Sequence, residues 1–119
     1  MMVPRILTIL SSSSIVIDVE IMEMVLEPTS QYLRAKVMLK QGYVLYVTEG
    51  IGRTYRRYSY HLQRDDELIK RWDNAPHWKG LKTFPFHVHL AGHEKPRECA
   101  EVFVQDVLVE LRDLLGGDE

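Results

Sequence analysis

The chain has 119 residues, of which 45% are hydrophobic and 27% are charged, and its formal net charge at pH 7 is -2. This composition excludes a disordered or fibrous protein, and the length predicts one domain, residues 1–119, with one hydrophobic core. A single cysteine, Cys99, excludes an internal disulfide and a cysteine-rich zinc site, and it is typical of a reducing compartment, so we expect a cytoplasmic protein.

The N-terminal residues predict no targeting or membrane segment. The apolar run at residues 6–10 is too short for a secretory leader, and no convincing cleavage site follows the four serines at 11–14. No stretch reaches the ~18 apolar residues that a membrane span needs. We therefore expect a soluble chain whose first element, at residues 6–10, is either a short helix or a strand.

Strand patterns occupy the next part of the chain. Residues 15–26 predict a strand with one wet face, because Ile and Val at 15, 17, 19 and 21 alternate with acidic residues at 18 and 20. Residues 33–40 and 43–49 predict a hairpin in which Gly42 supplies the positive φ of a tight turn. Residues 55–63 and 68–73 predict a second hairpin, and residues 84–90 predict a possible last strand.

The second hairpin also predicts which side chains share a face. If its turn is centred on residues 65 and 66, Tyr60 lies opposite Arg71 and Tyr58 lies opposite Asp73. Directly opposed residues project to the same face of the sheet, so we expect these four side chains on one face and Trp72 on the other. A bulge near the turn would shift this register by one residue.

The C-terminal part is the clearest helix. Pro96 suits the first helical position, apolar residues recur at helical spacing as far as Leu115, and Gly116 with Gly117 predicts the end. The expected fold is therefore α+β: an antiparallel β-meander sheet of five to six strands, one face covered by the C-terminal helix, with a possible short N-terminal helix.

Side chains that carry chemistry are concentrated in the middle of the chain. All five histidines lie between residues 53 and 97, where ten Lys or Arg face five Asp or Glu and where seven of the eleven aromatic residues occur. Residues 98–119 carry one basic and seven acidic side chains. The middle therefore indicates a site for an anion such as phosphate, unless its cations simply pair with the acidic tail.

Three motifs in this region carry a family resemblance. The segments YSYH at 58–61, RWDNAPH at 71–77 and TFPFHVH at 83–89 resemble, in order and spacing, the TumE family of toxins from prokaryotic toxin–antitoxin modules. The family pattern commonly has histidines at the positions of Trp78 and Phe86. The resemblance implies a small toxin that is neutralised by a cognate antitoxin, often one with a DNA-binding helix-turn-helix. RNA and a second copy of the chain are the other partners that we consider.

The same residues support RNA cleavage without a metal ion or other cofactor. That reaction needs a base for the 2′-hydroxyl, an acid for the leaving oxygen and a cation for the charge on phosphorus. The predicted catalytic residues are His61, Arg71, Asp73, His77, His87 and His89. Aromatic rings stack on unpaired bases, and polar side chains bind the RNA chain. The predicted substrate-binding residues are Arg57, Tyr58, Tyr60, Trp72 and Asn74, and Trp78 offers a further ring for stacking.

Two other functions stay open at this point. His87 and His89 lie on one face if their segment is a strand, so with His77 they could bind a metal in a metal-binding protein or hydrolase. A non-enzymatic binding module is the other alternative, because a sheet edge and the acidic face of the last helix can both dock a partner. His93, beside Gly92, is better explained as a loop residue.

Overall fold

The computed structural model describes residues 2–116, which form one antiparallel sheet and two α-helices. The seven strands follow one another across the sheet in chain order, which confirms the meander with one strand more than expected. None of the helices in these residues is long and apolar enough to cross a membrane. The elements are α1 (Val3–Ser11), β1 (Val16–Leu26), β2 (Gln31–Leu39), β3 (Tyr43–Ile51), β4 (Arg56–Arg64), β5 (Glu67–Asp73), β6 (His87–Leu90), β7 (Arg97–Glu98) and α2 (Val104–Leu115).

Both helices pack on the same face of the sheet, which we call the helix-covered face. Alternate residues of β2, β3 and β4 are buried there against the apolar sides of the helices, in a single hydrophobic core. The opposite side of the sheet, which we call the open face, carries mostly polar side chains. The buried helix residues are Val3, Ile6, Leu10, Val104, Val107, Leu108, Leu111 and Leu115.

The first element is a helix, which settles the ambiguity at residues 6–10. Pro4 lies in its first turn, where a missing N–H costs nothing, and Gln31 Oε1 accepts a hydrogen bond from the Val3 N–H at 2.8 Å. Tertiary packing decides the outcome, because Ile6 and Leu10 meet the sheet on one side of the helix.

The first strand begins at Val16, and its predicted alternation is wrong at one residue. Ile17 is an extra residue in a bulge between the pairs Val16–Leu39 and Asp18–Met38, so it leaves the apolar set of residues 15, 19 and 21 and is 67% exposed. The strand forms one edge of the sheet, with β2 as its single neighbour.

The hairpin of β4 and β5 corrects the predicted register. Next to the turn Arg64 lies opposite Glu67, as a turn centred on residues 65 and 66 requires, but a bulge then shifts the pairing by one residue. Tyr60 therefore lies opposite Trp72, and not opposite Arg71. The shift turns the Trp72 ring into the core beside Tyr60, and burying a large aromatic side chain contributes roughly 3 kcal/mol.

The C-terminal helix begins at Val104, so the predicted start at Pro96 is wrong. Pro96 is buried just before β7, which pairs with β6, and residues 99–103 cross to the helix-covered face in an extended conformation. The helix starts where the Asp106 side chain accepts a hydrogen bond from the Phe103 N–H at 2.8 Å. Gly116 ends it in the left-handed conformation, with φ of 66°, as predicted, whereas Gly117 lies outside the described residues.

A half-buried arginine, Arg56, holds this crossing segment to the sheet. The Arg56 guanidinium contacts both carboxylate oxygens of Glu49, at 3.2 and 3.3 Å, and donates to Tyr60 Oη at 2.8 Å and to the Val102 carbonyl at 3.0 Å. It also lies 3.0 Å from a carboxylate oxygen of Glu101. Glu49 is only 1% exposed, so Arg56 supplies the positive charge that makes burial of this carboxylate tolerable.

We expect Arg56→Ala to lower the free energy of unfolding by about 3–5 kcal/mol, because it leaves the buried Glu49 carboxylate without its cation. Urea unfolding followed by circular dichroism measures the change. The neighbouring Arg57 is exposed, and Arg57→Ala should change stability by no more than about 0.5 kcal/mol. Equal losses in the two variants would contradict this role of Arg56.

Candidate functional site

A row of polar side chains crosses the open face through β4, β5 and β6. Ser59 lies opposite Asp73, and Asp73 lies opposite His87, while Thr48 of β3 continues the row beyond Ser59. These pairs follow from the bulge in the hairpin of β4 and β5, because the shift that buries Trp72 turns Asp73 to the open face.

A second row runs parallel to the first, two residues along each strand. His61 lies opposite Arg71, and Arg71 lies opposite His89. Neighbouring strands are about 4.8 Å apart, so the two imidazoles stand on either side of the guanidinium at about that spacing. Beyond His61, Tyr46 of β3 continues the row and its ring lies edge-on to the imidazole, with 6.2 Å between ring centres.

Asp73 connects the two rows. Its Oδ2 accepts a hydrogen bond from Arg71 Nε at 3.0 Å and lies 3.6 Å from His89 Nε2. Its Oδ1 lies 2.8 Å from His87 Nε2 and accepts a hydrogen bond from the Ala75 N–H at 3.0 Å. One nearly buried carboxylate thus positions a guanidinium and contacts two imidazoles.

His87 is the most deeply buried member of this site, with 1% of its surface exposed. Its Nδ1 lies 2.9 Å from the Pro85 carbonyl oxygen, so we assign the ring proton to Nδ1, which donates to that oxygen. The contact of Nε2 with Asp73 is close but out of line for a hydrogen bond, so Nε2 has no hydrogen-bond partner among residues 2–116. That nitrogen is one of the atoms that could bind a metal ion.

The histidines on either side of Arg71 have lowered pKa values. Burial lowers the pKa of His89 and the Arg71 guanidinium lowers it further, which outweighs the opposite effect of Asp73. Burial and Arg71 also lower the pKa of His61, against a hydrogen bond with Gln63. Both imidazoles are therefore mainly neutral at pH 7, the form in which a histidine accepts a proton.

A pocket of about 340 Å³ opens on the open face next to these rows. Its volume is within the ~300–1,000 Å³ that is typical of ligand pockets. The pocket places an aromatic ring and two guanidinium groups next to hydroxyl groups and the Asp73 carboxylate. The side chains and backbone that line it belong to Tyr32, Thr48, Gly50, Arg57, Tyr58, Ser59, Arg71, Asp73 and Ala75. Another depression, between α1 and α2, contains none of the residues with shifted pKa values.

Three of the predicted substrate-binding residues are in the core instead. Tyr58, Tyr60 and Trp72 lie on the helix-covered face and are almost completely buried, so their rings present no surface to a base. Burial raises the pKa of Tyr58 to about 12, and its hydroxyl accepts a hydrogen bond from the Val102 N–H at 3.4 Å. These residues lie on the opposite side of the sheet from the site, where they pack the strands that carry it.

The other two predicted substrate-binding residues have different positions. Asn74 is buried and ties β5 to β4: its Oδ1 accepts from the Tyr58 N–H at 2.9 Å and its Nδ2 donates to the Arg56 carbonyl at 2.7 Å. Its amide is therefore a structural link. Arg57 is exposed on the open face and lines the pocket, where it can reach a bound anion.

The loop between β5 and β6 carries His77 away from the two rows. His77 is exposed and lines a separate depression with Trp78, Lys79 and Lys95. The Trp78 ring is edge-on to that of His89, with centres 6.3 Å apart, so it borders the site. The structure thus brings together five of the six predicted catalytic residues, His61, Arg71, Asp73, His87 and His89, on one face.

The group that could hold a metal ion differs from the predicted set of His77, His87 and His89. Among the described residues, the ligand atoms of Asp73, His87 and His89 lie within 4.8 Å of one another. Asp73 takes the third place because it faces His87 across the sheet, whereas His77 belongs to the loop.

Sequence reasoning missed the residues that β2 and β3 contribute. Tyr32, Thr48 and Gly50 line the pocket although they precede the three motifs. Tyr32 and Arg57 are linked through Gly50, which lies opposite both of them in the sheet. The alternation of polar residues along the first predicted hairpin is the signal that places them on the open face.

A comparison with protein families finds one match for this chain. A family model described as Toxin TumE matches residues 6–115, nearly the whole chain. No curated protein and no solved structure matches it.

We expect His61 and His89 to titrate below pH 6.5 in the folded protein, and we expect Arg71→Gln to raise both pKa values, because the guanidinium opposes protonation of each ring. NMR titration of the ring resonances measures this. Arg53→Gln removes a charge from an exposed turn and should leave both titrations unchanged. Insensitivity of both rings to Arg71→Gln would show that the guanidinium does not lie between them.

Proposed function

This chain belongs to the TumE family, the toxins of toxin–antitoxin modules, and we propose that it acts by cleaving RNA without a metal ion. The observation that carries this proposal is the row His61, Arg71, His89 on the open face, in which two imidazoles flank one guanidinium. The substrate would be single-stranded RNA, because the site lies on an open surface and its pocket is suited to an unpaired nucleotide.

The row provides the three groups that the reaction requires. Arg71 would bind the phosphate, since its side chain is 36% exposed while its Nε is held by Asp73. One imidazole would take the proton of the 2′-hydroxyl as that oxygen attacks phosphorus. The imidazole on the other side, in the minor fraction of molecules in which it is protonated at pH 7, would give its proton to the 5′-oxygen as the P–O bond breaks, which leaves a 2′,3′-cyclic phosphate.

Asp73 and His87 would act through these residues as positioning residues. Asp73 orients Arg71 by a hydrogen bond and favours the protonated form of His89. His87 stands behind Asp73, held by the Pro85 carbonyl, and is too deeply buried to touch a substrate. Trp78 borders the site and His77 lines the neighbouring depression in the same loop, and we propose both as contacts for the RNA chain.

The pocket would hold the nucleotide next to the phosphate that is cleaved. Tyr32 offers a ring for stacking, Arg57 offers a second cation, and Ser59 and Thr48 offer hydroxyl groups for hydrogen bonds. Lys36 of β2 points to the same face and extends the positive surface along the RNA, whereas Arg34 lies 3.7 Å from Glu23. The toxin would act in the cytoplasm, where RNA is available, until a protein antitoxin binds it.

A metal-dependent mechanism is the second candidate, and one observation favours it. His87 Nε2 is buried without a hydrogen-bond partner and faces Asp73, in a group whose three ligand atoms lie within 4.8 Å. Two imidazoles and one carboxylate suit zinc or iron. Against it, Arg71 Nε lies 3.0 Å from Asp73 Oδ2, and a cation there competes with a metal for the same oxygen.

We expect His61→Gln and His89→Gln each to reduce the rate of RNA cleavage by about 100-fold or more, because each removes one proton-transfer group. Initial rates with a labelled single-stranded RNA, measured in EDTA, test this. His93→Gln changes an exposed loop histidine and should leave the rate unchanged. Loss of cleavage in EDTA, with recovery on adding zinc, would support the metal mechanism; full activity of both variants would contradict both mechanisms that use this row.

We expect Gly50→Val to weaken RNA binding, and so raise KM, by roughly tenfold, which is the effect of losing one stacked base. Gly50 faces the pocket between Tyr32 and Arg57, and an added Cβ meets only Tyr32 Cδ1 at 3.8 Å, so a side chain fits there without strain and fills the pocket. Ala100→Val is the control, because it enlarges an exposed side chain on the segment before α2, away from the pocket. An unchanged KM would exclude the pocket as the nucleotide site.

A further inference from the structure

The edge strand β1 exposes more apolar surface than any other element of the described chain. Eight of its eleven residues have apolar side chains, and six of these are open to solvent although the strand is the outermost of the sheet. The exposed apolar residues of the strand are Ile17, Ile21, Met22, Met24, Val25 and Leu26. A long apolar edge of this kind is a template for pairing with another strand unless a partner covers it.

The two sides of β1 have opposite character. Ile21, Met24 and Leu26 face the helix-covered side, like the core residues of β2. They are nevertheless between 43 and 50% exposed, because the helices do not reach them. On the open side lie Asp18, Glu20 and Glu23, followed by Val25 at the end of the strand. Glu20 is opposite Lys36 of β2, and Glu23 is opposite Arg34 and lies 3.7 Å from it. An acidic strand thus lies outside a basic strand, and a further strand would meet carboxylates on one side and apolar groups on the other.

This pattern defines what can pair with the edge. We infer that β1 is a docking site for an extended segment of a protein antitoxin, in which apolar side chains alternate with Lys or Arg. Its apolar side chains would cover Ile21, Met24 and Leu26, and its cations would meet Glu20 and Glu23. The assignment to an antitoxin follows from the toxin family, and the chemistry of the segment follows from the two sides of β1.

The charges disfavour the two other occupants of such an edge. A second copy of β1 would bring its own Asp18, Glu20 and Glu23 against the same carboxylates, and no Lys or Arg occurs between residues 6 and 33 to relieve the repulsion. A nucleic acid would be repelled by the same acidic row.

Docking at β1 would also reach the RNA site. Val25 lies opposite Tyr32, and a depression lined by Glu23, Val25, Tyr32 and Gly50 shares its last two residues with the nucleotide pocket. A segment added along the C-terminal half of β1 would therefore cover the Tyr32 side of that pocket. This part of the inference rests on the proposed function, whereas docking itself does not.

The test uses the full chain and a synthetic decapeptide in which valine and lysine alternate. We expect the peptide to slow amide hydrogen exchange in residues 17–26, and we expect Glu20→Lys with Glu23→Lys to weaken its binding at least ~10-fold by charge repulsion. The double variant Glu67→Lys with Glu94→Lys has the same change of charge at exposed positions elsewhere and should bind normally. A decapeptide of alternating valine and glutamate should not bind.

Several results would overturn the inference. These are protection outside β1, no protection at all, equal binding by the two double variants, or concentration-dependent dimerisation that protects β1 without peptide, which would identify a second copy as the occupant. The bound peptide should also raise KM for RNA cleavage by the wild-type chain. If the chain cleaves no RNA while the peptide still protects β1, the proposed reaction fails and the docking site stands; if the chain cleaves RNA and β1 is not protected, only the docking site fails.

Discussion

The contact between Arg56 and Glu49 is the constraint on which the rest of this structure depends. A meander can bury its apolar face only if something covers it, and here the cover is supplied by the two ends of the chain. The C-terminal helix reaches the sheet through an extended segment that has no core of its own. Arg56 fixes that segment by its bonds to the Val102 carbonyl and to Glu101, while Glu49 and Tyr60 hold the guanidinium from the sheet. Burial of the charges is costly, and it is offset only because every polar group in the network has a partner of opposite charge or a hydrogen bond.

Because both helices lie on one face, the other face is free to carry chemistry. The bulge in the hairpin of β4 and β5 separates the two faces, since it directs Trp72 into the core beside Tyr60 and places Arg71 and Asp73 on the open face with His61. The site is therefore built on the rigid part of the molecule, on adjacent strands whose spacing is fixed by backbone hydrogen bonds. Such a site holds its groups in place before a substrate arrives, which lowers the cost of organising them in the reaction.

Under our two proposals, RNA cleavage and antitoxin binding take place on separate surfaces, the open face and the β1 edge. The two rows around Asp73 lie near the far edge of the sheet, where their charge is balanced locally by Arg71. The edge at β1 is acidic and apolar, so it suits a polypeptide and repels RNA. Tyr32 lies on β2, next to β1, and also lines the nucleotide pocket. Binding at one of the two surfaces would therefore change the affinity of the other.

The sequence by itself determined the class of fold, the first hairpin, the last helix and the gathering of histidines and cations in the middle, because each depends on local periodicity or composition. It also identified five residues that the sheet brings together. Tertiary structure alone decided which of them share a face, since a single bulge reverses the side of every later residue, and the burial of Trp72 selects that bulge. It likewise decided that Pro96 precedes a strand and that Tyr32 joins the pocket, because both depend on partners distant in the chain.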